Sequence, residues 1–189
     1  MASVISIPIP EMMTDATLYI SLSDDYAQAQ TISIPAGTEL YELANLLPQQ
    51  TYYYKVDAGG ETVANGDITT TGHLRMIKAD SGFNIRDLGG WLTSDGNRLR
   101  YGKIFRGGEM NANHQMNEAD RAEMARLGIK AEIDLREDKD ITGFGINASA
   151  IDGAAYRYEN LSRWSEDALN FDAEKFRDAF NLIYQTVKA

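Results

Sequence analysis

The sequence has no cysteine among its 189 residues. Disulfides, thiolate metal sites and a thiol nucleophile are therefore excluded within this chain. Long apolar runs are missing too, because no segment approaches the roughly 20 residues that cross a bilayer. Residues 1–10 lack the basic start and the long apolar stretch of a signal peptide.

Positive charge is scarce in this protein. It has 18 basic and 28 acidic residues, which gives a net charge of -10. Such a surface repels nucleic-acid backbones and anionic membranes, so we expect neither as a partner. Hydrophobic residues make up 43% and charged residues 24%, a balance typical of a folded globular protein.

The first part of the chain is patterned as β-strands. Residues 17–22 and 31–34 alternate apolar and polar side chains, and residues 51–56 are rich in tyrosine and other residues that favour strands. Turn-forming glycine, proline and asparagine separate these runs. The pattern predicts a small all-β, antiparallel sandwich domain over residues 1–73.

Residues 46–56, Leu-Leu-Pro-Gln-Gln-Thr-Tyr-Tyr-Tyr-Lys-Val, resemble the fibronectin type III family around its tyrosine corner. The resemblance covers only the later strands, and about seventy residues is short for that fold. We therefore expect a reduced fibronectin-III-like sandwich that serves as a spacer or support.

After residue 73 the pattern changes to alternating helix and strand. Asn117 is a good helix N-cap, acidic Glu118 and Asp120 suit the first turn, and Gly128 is a typical stop. Residues 129–135 follow as a strand, which together with the helix makes half of a parallel α/β unit.

The last helix has one broad apolar face. We expect Asp172 to cap it and Phe171 to pack against Phe176 as a hydrophobic staple. Such a face needs a sheet to cover, so we expect the sequence to be the front part of a larger α/β domain. The apolar positions are Phe176, Ala179, Phe180, Ile183, Tyr184 and Val187.

Four short segments carry a second resemblance. Asn-Ile-Arg-Asp-Leu-Gly-Gly at 84–90, Tyr-Gly-Lys-Ile-Phe-Arg-Gly-Gly-Glu at 101–109, Leu-Gly-Ile-Lys at 127–130 and Ile-Asp-Leu-Arg at 133–136 resemble the tyrosine-phosphatase-like family common in bacteria. Their order and spacing make the match specific. The resemblance implies an α/β fold with a mostly parallel sheet, of which residues 74–189 would be the N-terminal part.

The family resemblance also implies a mechanism. Members carry a His-Cys-(five residues)-Arg loop, whose thiolate attacks phosphorus to form a phosphocysteine that water hydrolyses. The implied substrate is a phosphorylated protein or a small phosphate monoester, with no cofactor and no metal. Because this chain lacks the loop and its nucleophile, we expect it to be inactive alone.

The resemblance assigns supporting roles to three charged residues. Asp134 would orient the substrate or help proton transfer, or it would only cap the turn that ends its strand. Arg136 would face the phosphate, or pair with Glu137 or Asp138. Arg106 would bind an anion, although an ion pair with Glu109 or Asp87 is the favoured interpretation.

Further residues match the family's structural elements beside the site, with Gly89 and Gly90 allowing a tight turn. His73 and His114 have no ligand spacing around them, which argues against a metal site. Residues 138–170 are predicted to form a surface excursion, with a lid over the substrate entrance as the alternative. The structural residues near the site are Asn84, Arg86, Asp87, Gly89 and Gly90.

Two other functions stay open. In one, the chain is half of a split phosphatase and a partner chain supplies the missing loop. In the other, it is a non-catalytic binding module whose β domain recognises a protein or a glycan, with the tyrosines at 52–54 as weak support.

Overall fold

A computed structural model describes residues 4–160 and 173–188 of the chain. Strands dominate the first part, and helices enter only after residue 117. In chain order the elements are β1 (Val4–Pro8), β2 (Ala16–Ser21), β3 (Gln30–Ile34), β4 (Leu40–Ala44), β5 (Thr51–Ala58), β6 (Glu61–Thr69), β7 (Arg75–Met76), β8 (Arg86–Asp87), β9 (Phe105–Arg106), α1 (Glu118–Arg126), β10 (Ala131–Asp134), α2 (Asp138–Phe144), β11 (Ala155–Tyr158) and α3 (Ala173–Lys188).

The first part consists of two antiparallel sheets. One has four strands in the order β3-β2-β5-β6, and the other pairs β1 with β4. Side chains from both sheets meet in one apolar core, because alternate residues of each strand point to the same face. The expected β-rich start is confirmed. The side chains buried most completely in this core are Ile7, Leu18, Ile34 and Val56.

Tyr52 fixes the turn that enters β5. Its ring is buried, and its hydroxyl oxygen accepts the backbone N–H of Leu47 at 2.9 Å. A tyrosine hydroxyl bonded to the backbone a few residues upstream is the arrangement of a tyrosine corner. Membership of the fibronectin type III family stays a prediction.

The second part mixes antiparallel and parallel pairs with helices. Strands β7, β8 and β9 form a small antiparallel sheet, and β10 pairs with β11 in parallel. The predicted α/β character is confirmed, and β10 and β11 provide its parallel pair. The buried apolar residues around which this part packs are Ile77, Ile85, Met116, Met124 and Ile151.

Helix α1 begins and ends as predicted. The Asn117 side chain accepts the N–H of Asp120 at 2.8 Å, which satisfies one of the free donors of the first turn. Gly128 has a φ of 81°, the left-handed conformation that ends many helices at glycine.

Helix α3 keeps part of its apolar face in contact with solvent. Ala179 is buried, whereas Phe176, Phe180 and Tyr184 are 47%, 62% and 55% exposed. The predicted cap at Asp172 and the staple at Phe171 lie outside the described residues. Among the described helices, none is both long and apolar enough to cross a membrane.

Residues 138–160 contain two regular elements that the sequence did not predict. They are α2 and β11, and β11 aligns with β10 so that Tyr158 lies opposite Asp134. No residue of α2 or β11 is buried, so the surface excursion and the alternative lid both stay predictions, and residues 161–170 lie outside the described residues. The strand was missed because the alternation in Ala-Tyr-Arg-Tyr is too short to be recognised without its partner.

Asn45 joins the two parts of the molecule. It is buried and adopts a φ of 61°. Its side-chain oxygen accepts the N–H of Lys78 at 2.6 Å, and its amide donates to Glu123 Oε1 at 2.6 Å. Arg75 Nη2 donates to the Asn45 carbonyl at 2.5 Å. The β-rich part is therefore bonded to both β7 and α1.

Candidate functional site

Asp134 lies at the carboxyl end of β10 and is buried. In open α/β sheets, the carboxyl ends of parallel strands are where sites form. Its Oδ1 accepts Arg136 Nε at 2.9 Å, and its Oδ2 accepts Arg136 Nη2 at 2.5 Å. Oδ1 also accepts the backbone N–H of Arg136 at 3.1 Å, so Asp134 caps the turn as well as forming an ion pair.

Arg136 is held from three sides. Besides Asp134, its Nη2 donates to Asn111 Oδ1 at 2.7 Å, and its Nη1 lies 3.6 Å from Glu109 Oε2. Pairing with Glu137 or Asp138 was therefore the wrong expectation, because the side chain turns back towards its own strand. In the part of the chain that the structure describes, Nη1 is buried and has no hydrogen-bond partner.

Tyr156 adds a third group that the sequence did not reveal. It lies on β11 and donates its hydroxyl to Asp134 Oδ2 at 3.1 Å. Burial, and next the charge of Asp134, raise the pKa of Tyr156 to about 12, so the hydroxyl keeps its proton near neutral pH. The signal that could have found it is the pair of tyrosines at 156 and 158, which share one face of a strand.

Two opposing influences set the charge of Asp134. Burial would raise the pKa of its carboxyl group, but the hydrogen bonds and charge of Arg136, with the hydroxyl of Tyr156, lower the pKa overall. The hydrogen bond to Asp134 raises the pKa of Arg136. At neutral pH, Asp134 is therefore a carboxylate without a proton to donate.

Asp138 anchors the next turn of the same region. Its Oδ1 accepts the hydroxyl of Tyr158 at 2.6 Å, and its Oδ2 accepts Asn160 Nδ2 at 2.6 Å. The first turn of α2 is thereby tied to β11 and to the residues after it, beside the cluster around Asp134.

Asp87 organises a separate polar centre. Its Oδ2 accepts Arg75 Nη1 at 3.0 Å and the Gly102 N–H at 2.7 Å, and its Oδ1 accepts the Gly89 N–H at 2.8 Å. Both charged side chains are buried. Asp87 thus bonds across the sheet to Arg75, and Arg86, next to it in sequence, points to the other face.

Arg106 does not form the ion pair that was the favoured interpretation. Asp87 is bonded to Arg75 and Glu109 lies beside Arg136, while Arg106 is exposed. Its neighbour across the strands is Arg86, which lies directly opposite in the register of β8 and β9.

Tyr101 leaves no room for a side chain at Gly89 or Gly90. A Cβ atom at Gly89 would lie 2.5 Å from the Cα of Tyr101, and one at Gly90 would overlap the Tyr101 hydroxyl. Gly90 also has a φ of 84°, which favours glycine. The hydroxyl of Tyr101 donates to the His73 carbonyl at 2.7 Å. Asn84 has a φ of 54° and is exposed at the turn before β8.

Both histidines pack against aromatic rings. His73 meets Trp91 edge-on with ring centroids 6.2 Å apart, and His114 lies 4.4 Å from Phe83. Within residues 4–160 and 173–188, no three histidine, aspartate or glutamate side chains converge in a way that would hold a metal ion.

The sequence model of the tyrosine phosphatase family matches residues 77–187. The match covers more than half of the chain and includes the cluster around Asp134 and Arg136 and, in the second polar centre, Asp87 but not its partner Arg75. The chain therefore belongs to the tyrosine phosphatase family, and this membership supports a phosphatase function. No curated protein matches the chain.

Proposed function

We propose that this chain is the supporting part of a cysteine-dependent phosphatase that hydrolyses phosphate monoesters, with a phosphorylated protein or a small phosphate monoester as substrate. The observation that carries the proposal is the family match over residues 77–187, with a buried ion pair at the carboxyl end of β10. Because the chain has no cysteine, it is inactive alone, and the thiolate that attacks phosphorus comes from outside these 189 residues.

Within this proposal, Asp134 is a positioning residue and not the general acid. A general acid must hold a proton at the working pH, whereas the pKa of Asp134 is lowered. Its carboxylate instead aligns the guanidinium of Arg136 through two hydrogen bonds. Arg136 then presents a fixed positive charge towards the phosphoryl group, with Glu109 and Asn111 limiting its movement.

The proposal divides the chain near residue 73. Residues 1–73 form the β domain, and residues 74–189 belong to the phosphatase domain. The family match begins at residue 77 and strand β6 ends at Thr69, which supports this division. Exposed Arg106 is available to an anion in this arrangement, whereas Asn84, Arg86, Asp87, Gly89 and Gly90 shape the neighbouring turns.

A split enzyme is the second candidate, in which a partner chain carries the cysteine loop. The exposed Phe180 and Tyr184 of α3 favour it, since large apolar side chains at a helix surface are typical of contacts with another element. Size-exclusion chromatography with light scattering tests it. A monomer that melts in one cooperative transition would argue against a missing half.

The role of Arg136 is tested in the product of the source gene read in frame beyond the codon for Ala189, with p-nitrophenyl phosphate as the substrate. The Arg136→Lys substitution keeps the charge but loses the paired hydrogen bonds to Asp134. We expect kcat/KM to fall by up to about 100-fold, as misplaced positioning groups do. Arg157→Lys, at an exposed arginine on β11, is the matched control and should leave kcat/KM unchanged. Equal kcat/KM values for the two variants would show that Arg136 has no role in the site.

A further inference from the structure

The segment between β8 and β9 forms an irregular hairpin, which we name the basic arm (residues 86–106). Arg86 pairs with Arg106 at its base, and the Leu88 N–H donates to the Ile104 carbonyl at 2.8 Å. Further out, the Leu99 N–H donates to the Trp91 carbonyl at 2.9 Å. The arm is therefore a defined surface feature held by its own backbone hydrogen bonds.

Basic side chains without a carboxylate partner are concentrated on this arm. Most basic side chains described elsewhere in the molecule have a carboxylate within ion-pair distance. Among the basic residues outside the arm whose side chains the structure describes, Lys130 and Arg157 have none. Those without one on the arm are Arg86, Arg98, Arg100, Lys103 and Arg106.

The carboxylates of the arm do not neutralise it. Asp87 is buried and paired with Arg75 outside the arm, and Asp95 at the tip is the one other acidic residue against the five basic residues of segment 86–106. Residues 98–106 contain four basic residues and no acidic one, in a chain whose net charge is -10. The arm is thus a local positive surface on a negative protein.

The base of the arm has an unfavourable pairing in the absence of a ligand. Like charges directly opposite each other in an antiparallel pair are destabilising, and Arg86 and Arg106 occupy such positions. In addition, Arg86 Nε is buried without a hydrogen-bond partner among the described residues. A carboxylate or phosphate group bound at exposed Arg106 would relieve the like-charge cost, because arginine binds such groups with paired hydrogen bonds.

We propose that the basic arm binds an acidic segment of a protein substrate, in which carboxylate or phosphate side chains contact Arg98, Arg100, Lys103 and Arg106. Exposed Trp91 and Leu92 near the tip add apolar contact that a peptide uses and a free anion does not. At physiological salt, charges further away than about 8 Å are largely screened, so the negative charge elsewhere on the protein has little effect on a short segment that touches only the arm. A membrane or a nucleic acid would extend beyond the arm and also meet that negative charge.

The identification of this segment as part of a substrate rests on the proposed function, but binding requires no turnover. The test is fluorescence anisotropy of a dye-labelled oligoglutamate peptide titrated with the 189-residue chain. A glycine-serine peptide of equal length is the control ligand. We expect the oligoglutamate peptide to bind and the control ligand not to bind, with an affinity that falls steeply as salt is raised.

The matched variants replace one arginine and one lysine each. R100Q/K103Q changes exposed residues of the arm, and K130Q/R157Q changes exposed residues elsewhere with the same effect on net charge. We expect R100Q/K103Q to weaken binding about 2- to 30-fold, the effect of two exposed ion pairs, and K130Q/R157Q to have no effect.

Three results would overturn the inference. They are no preference for oligoglutamate, equal weakening by both double variants, and tighter binding to phosphatidylserine vesicles or to single-stranded DNA than to the peptide. Because the assay needs no catalysis, each of these results leaves the phosphatase proposal standing. Conversely, an inactive gene product that still binds the peptide would count against the phosphatase proposal alone.

Discussion

The two parts of this molecule are stabilised in different ways. In residues 4–69 the core is almost wholly apolar and draws on both sheets. In residues 75–160 the apolar core is smaller and relies on two methionines among its five buried residues, while four carboxylates are buried beside it. These four are Asp87, Asp120, Glu132 and Asp134.

This difference matters because an apolar core and a set of buried charges place different demands on the fold. An apolar core is non-directional and stabilises a fold in proportion to the area it buries. A buried charge must be matched by partners in fixed positions, or it destabilises the fold. The second part therefore holds its buried charges in fixed positions, and under the proposed function these include the positioning groups of the site, whereas the first part is a neighbour bonded to it through Asn45.

The largest expected effect breaks the polar centre of the second part. Asp87→Ala leaves the buried guanidinium of Arg75 without its carboxylate and removes the acceptor of two backbone N–H groups. We expect the free energy of unfolding to fall by about 4 kcal/mol, as for other broken buried pairs. Urea unfolding followed by circular dichroism measures it. Asp152→Ala, at the exposed ion pair with Arg121, is the control and should cost roughly 0–1 kcal/mol. Similar losses for both would show that the Asp87 centre is not structural.

A somewhat smaller effect is expected from the apolar core of the first part. Leu18 is fully buried, whereas Leu22, just after the same strand, is 54% exposed. Leu18→Ala should lower the free energy of unfolding by about 3 kcal/mol through lost burial and a cavity. Leu22→Ala should change it by no more than about 0.5 kcal/mol. The same urea experiment compares them, and an equal cost at the two positions would contradict the core assignment.

The smallest of the three effects depends on pH. Asp134→Asn removes charged hydrogen bonds to Arg136 and should cost about 2 kcal/mol at pH 7. Because the pKa of Asp134 is lowered in the folded protein, this stabilisation is fully present above the pKa of an aspartate in the unfolded chain and disappears as the pH falls through the lower folded pKa. Urea unfolding of both proteins from pH 7 to acid should show the difference shrinking. A difference that stays constant or grows in acid would contradict the ion pair.

Local signals predicted the secondary structure better than the contacts of the site. Asn117 and Gly128 were recognisable because a helix cap and a helix stop depend on single residues. The strand alternation around Leu18 was also visible, since half-buried strands have a period of two residues.

The partners of the charged residues could not be predicted in the same way. Arg75 meets Asp87 only through the register of β7 and β8, which no local pattern encodes. Sequence proximity suggested Glu137 or Asp138 for Arg136, but the side chain bonds to Asp134 and Asn111 instead. Tyr156 reaches Asp134 only because β11 lies beside β10.

The most direct test of the account compares hydrolysis of p-nitrophenyl phosphate by the 189-residue chain and by the product of the source gene read in frame beyond the codon for Ala189. We predict no turnover by the chain above the buffer rate, and turnover by the longer product that a thiol-alkylating reagent abolishes. Turnover by the chain itself that Arg136→Lys removes would contradict the account, as would an extended product without thiol-dependent activity.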